Sequence, residues 1–138
     1  YNLRFGDPEC QTLLRNLQTD ILKIIDYNLK DKLSDLTIRN KKQSVVCVVV
    51  ASKGYPGNYK KNKVISNLSK AQSIEGVEIF HAGTALKKEK VISSGGRVLS
   101  VTAQGNSIVH ARKIAYKAVA LIDWKEGFFR NDIGKKNI

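Results

Sequence analysis

Methionine is missing from this chain altogether, and tryptophan occurs once. Without a methionine, Tyr1 is not expected to be a natural start, and the 138 residues read as a piece of a longer protein. Cysteine is scarce as well. Cys10 and Cys47 have neither metal-ligand spacing nor the makings of a disulfide framework. Reduced thiols in a cytoplasmic protein are the expectation, with Cys47 a core residue of an apolar run. That run, Val45 to Ala51, is the longest and is strand-sized, so no segment is expected to cross or bind a membrane. Acidic residues are few, 12 against 24 Lys and Arg, which leaves a net charge of +12. Such an excess suits a polyanion, but its distribution does not. The lysines fall in scattered pairs (Lys41-Lys42, Lys60-Lys61, Lys87-Lys88, Lys135-Lys136), with no block of about five like charges. No helix carries a basic stripe, and the few aromatics do not interleave with the cations, so no nucleic-acid partner is expected.

What is present alternates between helical and strand periods. Glu9 to Leu17 reads as a short helix with Leu13, Leu14 and Leu17 inward. Thr19 or Asp20 caps a second, with Leu22, Ile25 and Leu29 on one stripe and Ile21 and Ile24 beside it. Asp31 to Gln43 is polar, and a module boundary is expected near Lys41. Ser44 to Ala51 is a buried strand by its β-branching, followed by the turn-rich Ser52 to Tyr59. Val77 to Ala82 and Lys90 to Ser93 read as strands. Ser94-Gly95-Gly96 reads as a tight turn, and Arg97 to Gln104 as the hairpin partner of Lys90 to Ser93. Asn106 or Ser107 caps the longest helix, running to about Glu126 with Ile108, Ala111, Ala115, Ala118 and Ile122 inward. The alanines let it approach a sheet closely. The fold class is α+β: an antiparallel sheet packed with a long helix.

The chemistry concentrates at the start. Tyr1 to Arg4 alternates like a strand with Asn2 and Arg4 on its polar side. Gly6-Asp7-Pro8 then opens a helix, with Asp7 as N-cap and Pro8 at the first helical position. An amide oxygen, a guanidinium and a carboxylate near one helix N-terminus suit phosphate and divalent-metal chemistry. Arg97 follows Gly95-Gly96, where exposed backbone N–H groups are expected to form an anion nest, and is a candidate for a phosphate. The competing reading of Arg97 is a cross-strand pair in a plain hairpin. His81 reads as a hydrogen-bonded structural histidine and His110 as a surface one.

The opening stretch resembles the metal-binding strand of ATP-grasp ligases, and Arg4-Phe5-Gly6-Asp7-Pro8-Glu9 is similar to the phosphoribosylamine–glycine ligases in particular. That family's strand reads Glu, an aromatic, Asn, any residue, Arg. Asn2 and Arg4 match, and the Glu position falls immediately before Tyr1. Four further stretches match in order: Gly54-Tyr55-Pro56-Gly57 with Tyr59 nearby, Phe80 to Thr84, Gly95 to Leu99, and the closing Phe129-Arg130-Asn131-Asp132-Ile133-Gly134. Cys10 stands where the family usually has Thr, and Asn131 where a second Arg is usual.

The resemblance implies that residues 1–41 end an ATP-grasp domain and that 42–138 form the C-terminal β-rich domain covering its active site. It implies ligation of glycine to 5-phosphoribosylamine with ATP and Mg²⁺ (or Mn²⁺), the rest of the ligase chain as partner, and no activity in the 138 residues alone. By position, Asn2 would ligate the metal, and Asn2 and Arg4 would serve the nucleotide. Arg4 and Asp7 would be catalytic, and Asp7, Gly83, Thr84 and Arg97 would line the substrate site. Asp7 as a plain N-cap is the competing reading. Another ATP-grasp carboxylate–amine ligase, or a non-catalytic basic module binding an anion, are the alternatives for the whole.

Overall fold

A computed structural model describes residues 3–135. The centre of the fold is a four-stranded antiparallel sheet of β1 (Ser44–Ser52), β2 (Val77–His81), β5 (Arg97–Gly105) and β6 (Gly127–Phe128), ordered β2-β5-β1-β6. The long β1 and β5 pair through most of their length, with Val48 opposite Val101, and Ile79 of β2 lies on the other side of Val101. One face carries Val46, Val48, Val50, Val101 and Ala103, all buried. Against it lies α4 (Ile108–Leu121), capped by Ser107, whose Oγ accepts from the His110 N–H at 3.2 Å. Ala111, Ala115 and Ala118 are fully buried there, so small side chains bring helix and sheet together as their spacing predicts.

The opposite face of β5 carries Ser100, Thr102 and Gln104. Their alternation with apolar residues marks a strand, yet Ser100 and Thr102 are buried, because α1 (Glu9–Asn16) lies across β1 and β5. Polar groups so covered need partners. Thr102 Oγ1 donates to Glu78 O at 3.1 Å, and Gln104 Nε2 donates to Arg15 O at 2.9 Å. Arg15 in turn reaches Gly76 O at 2.7 Å. Cys47 also lies on this face. Burial is the main influence on its thiol and pushes the pKa up to about 11; the nearby Asp7 charge adds to the rise, while hydrogen bonds with Ser100 and Thr12 oppose it. Cys47 is half-buried rather than a core residue, and a thiol held protonated is a poor nucleophile. Iodoacetamide at mild alkaline pH should therefore leave Cys47 intact in the native protein and modify it after unfolding. Fast native labelling would mean that α1 leaves the sheet.

The strand pairing differs from the sequence expectation in one respect. Lys90–Ser93 is β4, but its partner is β3 (Thr84–Lys87), not Arg97–Gly105. The β3–β4 turn is made by Lys88 and Glu89, both with positive φ (46° and 61°). A two-residue turn of this kind normally advertises itself by Asn or Gly, and here it does not. Ser94 to Gly96 instead carries the chain from the hairpin into β5. At the far end, α4 stops at Leu121 rather than near Glu126. Ile122 is extended, and Asp123 exchanges both backbone hydrogen bonds with Ser66 (3.0 and 3.1 Å). The closing segment is tied to α4 by main-chain acceptors. Arg112 donates to Asn131 O and Ile133 O, and the Tyr116 hydroxyl donates to Arg130 O.

The N-terminal helices follow the predicted periods but not the predicted burial. In α2 (Ile21–Leu29), Asp20 is the cap, accepting from the Leu22 N–H at 2.7 Å. Its stripe is intact, yet Leu22 and Leu29 are 70% and 78% exposed. Leu13 and Leu14 of α1, expected inward, are more than 40% exposed. These apolar side chains form an uncovered surface on the described chain.

Candidate functional site

The β1–β5 register slips between Val50 and Ala51, which sets Arg97 opposite Ala51 at the start of β5. Irregularities of this kind re-aim side chains at strand ends. Beside it the backbone is drawn together by glycine. Gly83 N–H donates to Arg97 O at 3.0 Å, and Gly83 O accepts from Ser94 N–H (2.7 Å) and Gly95 N–H (3.1 Å). A Cβ on Gly83 would sit 2.7 Å from both Arg97 O and Gly95 Cα, so this approach tolerates only glycine. On the other side, Ser52 holds the same segment: its N–H donates to Gly96 O and its Oγ to Gly95 O. The Tyr55 ring covers Gly96, where a side chain would run into it. Ser52 and Tyr55 were not singled out from sequence; the only signal was that Tyr55 sits inside a quoted motif.

These contacts correct the expectation of an anion nest at Gly95-Gly96. The Gly95 N–H is already donated to Gly83, and neither glycine has the positive φ that a nest requires. What the segment offers is the Arg97 side chain. Its Nη1 donates to Asp7 O at 2.7 Å, and its Nη2 lies 3.4 Å from Asp7 Oδ2. The pair joins residues 90 positions apart in the chain. Both side chains are 43% exposed, so the ion pair contributes about 0–1 kcal/mol to stability and remains accessible to a ligand.

Asp7 is not the N-cap. The helix begins at Glu9 with Pro8 in the cap position and no side-chain cap bond. The Glu9 carboxylate accepts the Gly6 N–H at 2.8 Å, while the Asp7 carboxylate accepts from Gln11 Nε2 at 2.8 Å. Asp7 is thus spared for other contacts. Arg4 is apart from this cluster: its Nη1 donates to the neighbouring Phe5 O. Leu3 and Arg4 form a bend rather than the expected strand, since no described strand lies alongside to complete a ladder. Asn2, the expected metal ligand, lies outside the described residues. Among the described residues, no group of three or more His, Cys, Asp and Glu is placed to hold a metal ion. Thr84 follows Gly83 at the margin, its Oγ1 3.0 Å from His81 Nδ1, the structural hydrogen bond expected of that histidine.

Residues 45–136 match the family model described as phosphoribosylglycinamide synthetase, C domain. The chain belongs to this family. Relatives cover nearly the whole chain. The phosphoribosylamine–glycine ligase of Brucella melitensis is 48% identical over 134 residues, 97% of this chain and 31% of that protein. The chloroplastic phosphoribosylamine–glycine ligase of Arabidopsis thaliana is 48% identical over 136 residues, 97% of this chain and 26% of its own length. The trifunctional purine biosynthetic protein adenosine-3 of Gallus gallus is 46% identical across the whole chain, which covers 14% of it. The crystal structure of phosphoribosylamine–glycine ligase from Thermotoga maritima superposes with a TM-score of 0.74 at 28% identity, over 96% of this chain and 32% of that one. The α+β fold is therefore that of the family, and the chain spans about a third of the length of the ligases it matches. Among the described residues, no helix is long and apolar enough to cross a membrane.

Proposed function

We propose that this chain is the C-terminal part of a cytoplasmic, ATP- and Mg²⁺-dependent ligase that joins glycine to 5-phosphoribosylamine, yielding glycinamide ribonucleotide. The observation that carries the reading is the meeting of Arg97 with Asp7, a phosphate-type fork beside a carboxylate on a glycine-built ledge. In the family's chemistry, the glycine carboxylate attacks the γ-phosphate of ATP, and the amine of phosphoribosylamine displaces phosphate from the resulting acyl phosphate. Charge spreads over oxygens in both steps, so positioned cations and acceptors are what the protein must supply. Arg97 would hold the phosphate of phosphoribosylamine, with Gly83 and Thr84 lining the pocket. Asp7 would accept hydrogens from its amine. Arg4 would stabilise the migrating phosphoryl group. Asn2 would give one oxygen to Mg²⁺ (or Mn²⁺), whose other ligands would come from outside this chain.

The division near Lys41, with residues 1–41 ending an ATP-grasp domain and 42–138 forming the β-rich domain, is supported by a family match that begins at residue 45. In space α1 crosses that line, since it packs on β1 and β5. The uncovered leucines of α1 and α2 are the surface we assign to the rest of the ligase chain, a role that fits their exposure and the third of its relatives that this chain spans.

The test is ADP release. The complete ligase should release ADP from ATP when glycine and phosphoribosylamine are both supplied, and the 138 residues alone should release none, because residues that act as a unit fail together. ADP release by the isolated chain that depends on both substrates would overturn this division of labour.

A further inference from the structure

The Asp7 carboxylate has two holders, and only one of them is a residue the proposed reaction uses. Its Oδ2 faces Arg97. Its Oδ1 accepts from Gln11 Nε2, one helical turn along, at 2.8 Å. The amide can point only one way, because the reverse would set Gln11 Oε1 against a carboxylate oxygen. In the pose it adopts, Oε1 is buried with no hydrogen-bond partner. A buried acceptor without a donor is unfavourable and rare in native proteins. Gln11 keeps it while spending its amide N–H on Asp7.

We propose that Gln11 is a positioning residue for Asp7, needed when the substrate phosphate draws Arg97 away. The inference rests on the roles given to Asp7 and Arg97 above. Arg97 is committed to Asp7 in this structure through both the backbone oxygen and the carboxylate. A phosphate offers the guanidinium a more highly charged, bidentate partner. As Arg97 exchanges partners, Asp7 Oδ2 is released to accept hydrogens from the substrate amine, and Gln11 keeps Oδ1 in place so that the freed oxygen stays aimed. No covalent bond changes in this exchange. Recognition of the phosphate at one end of the substrate thereby frees the acceptor for its other end.

The experiment uses Gln11→Leu in the full-length ligase, which keeps most of the bulk and removes both the donor and the orphaned acceptor. Three quantities are read: kcat, the affinity for ribose 5-phosphate (which carries the phosphate and lacks the amine), and the melting temperature. The expected result is a kcat lowered about tenfold, corresponding to one hydrogen bond to a charged group. Ribose 5-phosphate should bind within about twofold of wild type, and melting should occur at or above the wild-type temperature. A purely structural Gln11 would show the reverse, lower melting with kcat unchanged, and that outcome overturns the proposal. So does a loss of kcat matched by an equal loss of ribose 5-phosphate affinity, because Arg97 would then be what was disturbed. If the leucine variant fails to fold, Gln11→Met, of similar length and likewise without the amide, carries the same expectations for kcat and melting. Arg97→Ala is the control on the underlying reading. If it binds ribose 5-phosphate as well as wild type, the phosphate role fails and the exchange fails with it. If Arg97→Ala loses binding while Gln11→Leu keeps full kcat, only the present inference falls.

Discussion

Arg97→Ala in the full-length ligase should raise the KM for phosphoribosylamine by about ten- to a hundredfold, with the KM values for ATP and glycine nearly unchanged. The size follows from one charge-assisted contact, whose loss costs roughly 1.5–3 kcal/mol, at about 1.4 kcal/mol per decade. No other arginine lies between Arg39 and Arg112, so no neighbour in sequence can take over. The structure sharpens the expectation. With the Gly95 N–H donated to Gly83, the ledge has lost one of the backbone donors expected there, and a phosphate would depend all the more on the guanidinium. Arg97→Lys should recover part of the loss, since a point charge cannot copy a planar fork. The melting temperature should hardly move, because the pair with Asp7 is half exposed and weak. A variant that melts lower yet keeps all three KM values would reduce Arg97 to a strut between Asp7 and the sheet.

Leu99→Ala should be the most damaging single truncation in the sheet, at about 2–5 kcal/mol. Leu99 is fully buried in β5, paired with Val50 on one side and His81 on the other. Its neighbours are anchored in two sheet pairings and under α4, so they cannot close over the space left behind. Leu86, which is 74% exposed on β3, is the matched control and should change stability by no more than about 0.5 kcal/mol as alanine. Urea unfolding of the three proteins measures the difference. A Leu99→Ala cost below about 1 kcal/mol would mean that the sheet is not packed as described.

What the sequence made legible was local. The β-branched run of β1, the alternation of β5 and the alanine face of α4 all rest on signals within a few residues and appear as read, and of the two caps offered for each helix Asp20 and Ser107 are the ones used. The β3–β4 hairpin was missed because its turn is built from Lys88 and Glu89, residue types that carry no signal for positive φ. The end of α4 is set by Ser66, a residue distant in sequence whose backbone claims Asp123. The strand expected at the start has no neighbour among the described residues to pair with. At the candidate site, the quoted motifs supplied Asp7, Gly83 and Arg97 individually. Their meeting is a contact across 90 positions that no periodicity encodes. Gln11 escaped notice because a glutamine one turn along a helix is unremarkable until the orientation of its amide is known.

The closing segment is gripped by its main chain, through three carbonyl oxygens and the Ile133 N–H. Arg112 and Tyr116 read the backbone of residues 130, 131 and 133 and ignore what hangs from it. Such a latch is blind to side-chain identity at position 131. A change of side chain at Asn131 need not loosen the tail, because the contact there is made to its carbonyl oxygen. The latch is indifferent to the lettering of the tail and sensitive to its own two donors: losing Arg112 or Tyr116 would release the backbone they hold.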